Sequence, residues 1–209
     1  MITLDTFELK REQNRLARKV VLRNSFNKVK TIGGTECLAI GDKLLAVVTV
    51  CEFPSLKFIE KQSYLLDQPL PYKIGFQSYR EMPAIIEAFN KLEQEPDVLL
   101  VKGMGINHPR KFGIASHLGI SLNIATIGIV AKNITGKVEK GKIMLNNDIV
   151  GFEIKTREHA NPVYAAPGSN ITLGSVLDII SKSIKFPHKL PEPLHLAHKI
   201  AKKKAKEMQ

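Results

Sequence analysis

The stretch from Asp97 to Lys132 constrains the fold of this chain more than any other. It opens with VLLV, a short continuously apolar run, and closes with ATIGIVAK, a second one. Runs of this kind are expected of strands covered on both faces, which in practice means strands inside a parallel sheet. Between them lie a glycine-containing loop and a helical pattern over Ile114 to Ser121. Parallel strands need a crossover connection, and a helix of this length supplies one, so the segment reads as a βαβ unit in an α/β domain.

The flanking sequence adds antiparallel structure. Residues TIGGTECLAI and KLLAVVTVCEF, joined at Gly41-Asp42, predict a hairpin, and SLKFIEKQSYLL extends it. KIMLNNDIVGFEI predicts a second hairpin turning at Asn146-Asn147-Asp148, because Asn and Asp tolerate positive φ, and PVYAAPG adds a strand. Leu9, Leu16, Val20 and Val21 share a helical face, predicting a helix from about residue 5 to 23. Pro83 suits the first turn of another helix, carried on by Ile85, Ile86, Phe89 and Leu92 and stopped at Glu95-Pro96. Leu173, Val176, Leu177, Ile180 and Ile184 mark a further helix, and Glu192 to the C-terminus a last, basic one. No linker or repeat divides residues 1–209, so one domain with a mixed β-sheet flanked by helices is expected.

The formal charge is +11, from 31 Lys+Arg against 20 Asp+Glu. That balance favours a polyanionic partner, since neutralised phosphates release counterions, although a solvated basic surface carries the same composition. Lys199, Lys202, Lys203, Lys204 and Lys206 concentrate part of it at the C-terminus, as an electrostatic arm or a frayed helix end. Cys37 and Cys51 are too few for a zinc site and read as reduced thiols. The N-terminus lacks the apolar core of a signal peptide and no stretch approaches a membrane span, so a cytoplasmic protein, without a membrane partner and monomeric, is expected.

Ligand sites in open α/β sheets gather beyond the carboxyl ends of parallel strands, where Lys102 to Arg110 lies. Gly103 and Gly105 let a ligand approach the backbone, and His108, Arg110 and Lys111 offer donors suited to phosphate. His195 and His198, three apart on the last helix, read as a solvated or hydrogen-bonded pair, and adjacent Ser116 and His117 diverge on theirs.

The run GMGINHPRKFGIASHLG (Gly103 to Gly119) resembles the signature of the endonuclease V family. So, in order and approximate spacing, do PYKIG (Pro71 to Gly75), YREMP (Tyr79 to Pro83), GIVAK (Gly128 to Lys132) and PEPLHLAH (Pro191 to His198). The resemblance implies a ribonuclease H-like core that opens DNA or RNA beside hypoxanthine and, with magnesium, cuts nearby on the 3′ side. It implies that Tyr72 is a wedge at the lesion, although Lys73 and Ile74 stand where isoleucine and proline are common. By the same resemblance Gly103 and Gly105 border the pocket for the flipped base, and Lys132 and His198 lie near the scissile phosphate.

The family holds its metal with two aspartates and a glutamate. Glu81 matches the glutamate, whereas a gap-free alignment puts Thr35 and Lys102 at the aspartates. Magnesium wants carboxylate oxygens. An ammonium in place of a carboxylate about 4 Å from a divalent ion is a swing of roughly 16 kcal/mol at an effective dielectric of ~20, before relaxation. Strand alternation points Glu36 to the opposite face from Thr35 unless a bulge intervenes. Lys102 is therefore expected to pair with Glu81, with no metal cofactor expected, or magnesium if cleavage is retained. The first reading is a nucleic-acid-binding protein, with a preference for deaminated purine, whose cleavage is lost or impaired. The alternatives are an active nuclease with a rearranged site and a protein-binding scaffold.

Overall fold

The computed structural model describes residues 5–133 and 135–208. Among these residues nine strands form one sheet. A long hairpin pairs β1 (Thr31–Ile40) with β2 (Lys43–Glu52), and β3 (Phe58–Asp67) continues the meander. Gly41 takes the turn at a φ of 58°. On its other side β1 runs parallel to β4 (Val98–Lys102), which runs parallel to β5 (Ala125–Val130). β6 (Lys137–Glu139), β7 (Lys142–Leu145), β8 (Asp148–Ile154) and β9 (Val163–Pro167) complete the order β3-β2-β1-β4-β5-β9-β8-β7-β6. The Asn146 and Asn147 turn has φ angles of 51° and 66°, as the residue types predict.

Helices cover both faces, which is why β4 is apolar from Val98 to Val101. Leu99 and Val101 pack in a core with α2 (Gln77–Phe89) and α3 (Ile114–Leu122). Val98 and Leu100 face the other core, with residues of α4 (Leu173–Lys182) and α5 (Glu192–Glu207). α5 lies against β1 and β2.

Three expectations change. The first helix, α1 (Thr6–Ala17), is capped by Asp5 and ends well before residue 23; the residue it buries is the polar Gln13 rather than the leucine and valine stripe. α2 starts at Gln77, so Pro83 sits inside it and the YREMP motif is helical. Pro83 is exposed there, so the break its missing N–H makes in the helix ladder falls on the outer side of the helix. The same helix ends at Phe89, before Glu95-Pro96. The short strand β6 carried no signal, because all three of its residues are exposed.

Candidate active site and nucleic-acid interface

The carboxyl ends of β4 and β5 form the floor of the candidate site, as the topology requires. Register decides which residue of β1 joins them. Ile32 pairs with Val98 and Gly34 with Leu100, so two residues on, Glu36 stands beside Lys102. A Cβ built on Gly34 would strike Pro193 and Leu194 of α5, whereas one on Gly33 would strike Leu99. Even positions of β1 therefore face α5 and odd positions, Thr35 among them, face the α2 side.

This corrects the expectation that Thr35 is the β1 residue standing at the site. Thr35 is buried, and the carboxylate at the centre is Glu36, only 2% exposed. Lys102 Nζ donates to both Glu36 oxygens at 2.7 Å, and His198 Nδ1 lies 2.8 Å from Oε2. The expected Lys102–Glu81 ion pair is not made; the partner is Glu36. Two acids thus remain at the site instead of one. No bulge brings it there, since the pairing of β1 with β2 is unbroken from Thr31 to Ile40.

Glu81 reaches the same end of the sheet from α2. Gln77 Nε2 donates to Glu81 Oε2 at 2.9 Å and to the Lys102 carbonyl at 3.1 Å, tying helix to strand. Burial above all pushes the Glu81 carboxyl up to about 7; the Gln77 bond opposes this, the Glu36 charge adds to it, and Arg80 and Lys102 oppose it. Cys37, next to Glu36, has its thiol held well above the usual range by burial and by both glutamates. Lys132 is exposed two residues past the end of β5, on the same edge.

The glycine loop is packed against its surroundings. A Cβ on Gly105 would fall 2.0 Å from the Pro167 carbonyl oxygen, and one on Gly103 would fall 2.2 Å from an Ile114 methyl. The Gly105 N–H donates to Asn107 Oδ1 at 2.9 Å, and the Gly113 N–H donates to the Gly105 carbonyl.

The loop's basic residues are engaged differently from the phosphate donors expected. His108 is buried and pushed down to about 4, first by that burial and then by Arg110, so it is neutral at pH 7. Arg110 donates through Nε to Gln13 Oε1 at 2.6 Å and through an Nη to the Gly75 carbonyl at 2.8 Å, while covering the Phe76 ring. Gln13 Nε2 donates to that same carbonyl. Together they clip α1 to the segment after β3. Lys111 pairs with Asp148 at 2.7 Å.

That segment presents Tyr72, 64% exposed, and Ile74, 76% exposed. Beneath them a cavity of about 40 Å3 is lined by Tyr72, Ile74, Gly75, Met104, His108 and Ile114. It has room for a few waters and no more.

His195 and His198 part company: His198 turns to Glu36, while His195 stacks on His188 at 3.5 Å between ring centres. Ser116 and His117 are both buried, with Ser116 Oγ and His117 Nδ1 lacking partners.

A divalent cation does not fit these side chains as they stand. Both Glu36 oxygens are taken by Lys102, and one also by His198. Among the described residues, no three His, Cys, Asp or Glu side chains are placed to hold a metal. The arrangement is instead an ammonium in a carboxylate cradle, open to solvent on one side.

Comparison with known proteins gives a consistent result. The family profile described as Endonuclease V matches residues 14–199. An endonuclease V from Dictyoglomus turgidum is 35% identical over 199 residues, covering 91% of this chain and 87% of that protein. A crystal structure of endonuclease V from Bacillus subtilis is 26% identical, with a TM-score of 0.88 over 99% of this chain and 94% of that one. Another, of Ciona intestinalis endonuclease V in complex with a 24mer DNA containing an inosine followed by a ribo-adenosine, is 22% identical. Its TM-score is 0.88 over 97% of this chain and 98% of that one. The architecture is accordingly ribonuclease H-like.

Proposed function

Since this chain belongs to the endonuclease V family, we propose that it binds DNA or RNA at deaminated purines and that its magnesium-dependent cleavage is lost or impaired. Supporting the binding half are the inosine-containing DNA carried by the Ciona relative and the exposed Tyr72 and Ile74 beside a pocket. These two side chains insert at the lesion, and the loop that bears them moves to admit a base, because the cavity beneath is too small for one as it stands. Gly75 and Gly113 leave part of the pocket wall free of side chains, while Gly103 and Gly105 let their loop pack closely. Lys102, Lys132 and His198 line the backbone's path at the strand ends.

The observation that carries the second half is the Lys102 ammonium 2.7 Å from both Glu36 oxygens. Magnesium, where a family member holds it, polarises the phosphate and activates water. Here the leading carboxylate is already neutralised by a lysine.

A second reading has its own support. Glu36 and Glu81 both remain at the site, and the Lys102 side chain is half exposed, so it can leave the cradle. On that reading the protein still cuts 3′ to inosine through a rearranged centre.

One assay separates them. Single- and double-stranded DNA and RNA, each with and without inosine, are incubated with the protein in magnesium and in manganese, and both retention and scission are scored. Retention favouring inosine, with little scission, is the expected result. Robust metal-dependent nicking would establish the second reading, and no retention of any nucleic acid would overturn both.

A further inference from the structure

An ammonium carries three N–H donors. In Lys102 two point at Glu36 Oε1 and Oε2, and the side chain is still 50% exposed at the open end of β4. Its remaining donor therefore has only solvent to meet.

The charges make this position matter. Without Lys102, Glu36 and its neighbour Glu81 would present acids to any incoming phosphodiester, and like charges repel. With it, the Glu36 charge is cancelled locally, and a cation stands between that carboxylate and the mouth of the site. His198, bonded through Nδ1 to Glu36, holds the carboxylate from the α5 side, so the cradle is fixed from two directions. Exposed Lys132 lies on the same edge, two residues past a strand paired with β4 up to Lys102 and Ile129.

We propose that Lys102 is a tethered stand-in for a divalent ion: clamped by Glu36 and open to solvent, its ammonium receives a backbone phosphate of the bound strand with no metal present. This rests on the nucleic-acid reading above and assigns that reading a ligand contact and a metal independence of its own. No covalent step is involved; the phosphate oxygen accepts a charge-assisted hydrogen bond.

The test uses a fluorescent single-stranded oligonucleotide containing one inosine, with anisotropy read in EDTA and in magnesium. Wild-type affinity should be the same in both within about twofold. Lys102→Met should weaken it roughly ten- to a hundredfold. Because that change strands a buried Glu36 charge, a Glu36→Gln, Lys102→Met double variant, neutral at both positions, supplies the same test in a fold relieved of it, and Lys102→Arg should restore most of the affinity. A double variant that melts like wild type and binds equally well in EDTA would overturn the inference.

A second arm needs no nucleic acid. Manganese titration followed by electron paramagnetic resonance should find no Glu36-dependent site in the wild type and one in Lys102→Asp. A submillimolar wild-type site abolished by Glu36→Gln would overturn the inference. The two ideas fail differently. A wild type that binds no oligonucleotide in any buffer sinks the nucleic-acid reading, whereas binding that appears only on adding metal sinks this inference and leaves that reading standing.

Discussion

Glu81 is the residue whose protonation should be felt by the whole fold. Its carboxyl is at about 7 when folded against an ordinary value of 4.5, with burial the leading cause. A raised carboxyl means that the folded state holds its proton more tightly than the unfolded chain does. Stability is then greatest below about 4.5 and falls as pH rises through 7. Relative to Glu81→Gln, which keeps the shape and cannot ionise, wild type should lose up to roughly 3 kcal/mol across that window. Urea midpoints at pH 4.5, 6 and 8 measure it, and parallel curves for the two proteins would refute it. Gly105→Ala forces a methyl onto the Pro167 carbonyl, 2.0 Å away. It should destabilise by about 2–4 kcal/mol, read as a lowered melting temperature. The Glu36–Lys102 pair marks what residue-level reading of the chain reached. Lys102 was identifiable as the anomaly, because the endonuclease V resemblance calls for an aspartate at the end of that apolar strand. Glu36 was named but set aside, although it is the sole acid within β1, because alternation says only that neighbours face opposite ways. Which of the two faces inward depends on pairing with β4, a contact between residues 66 apart.

Among the elements, those with long uniform patterns were legible and those held by tertiary contacts were not. β4, α3 and β5 followed from apolar runs and a helical period. The start of α2 did not, since Gln77 has no side-chain cap before it and its role is to bond Glu81 and the Lys102 carbonyl. α1 was read by its apolar stripe, yet what anchors it is Gln13, through Arg110 and the Gly75 carbonyl. This predicts that Arg110→Ala loosens α1 and the Tyr72 segment together while leaving the sheet intact. Hydrogen exchange should quicken in residues 6–17 and 72–78 by about tenfold or more, for loss of two charge-assisted bonds, and stay unchanged in β1, β4 and β5. Uniform acceleration through the sheet would show that the clip is not local.

At the scale of the molecule, a +11 chain spreads its charge unevenly, and α5 carries Lys199, Lys202, Lys203 and Lys206 exposed on the helix that also bears His198. If this helix lies along the bound strand, replacing Lys199, Lys202 and Lys206 with Gln should lower the slope of log affinity against log salt by about two units, at roughly 0.7 per phosphate. An unchanged slope would put the phosphates elsewhere. The centre itself draws on β1, α2, β4 and α5, with Glu36 and His198 separated by 162 positions in the chain. No subset of these parts retains the cradle, so whatever occupies it sees only the finished tertiary structure. Occupancy and global unfolding are therefore thermodynamically linked, and an occupant at a hundred times its dissociation constant would protect every element at once by about 2.7 kcal/mol. A trapped lesion would thus lengthen the lifetime of the protein that found it.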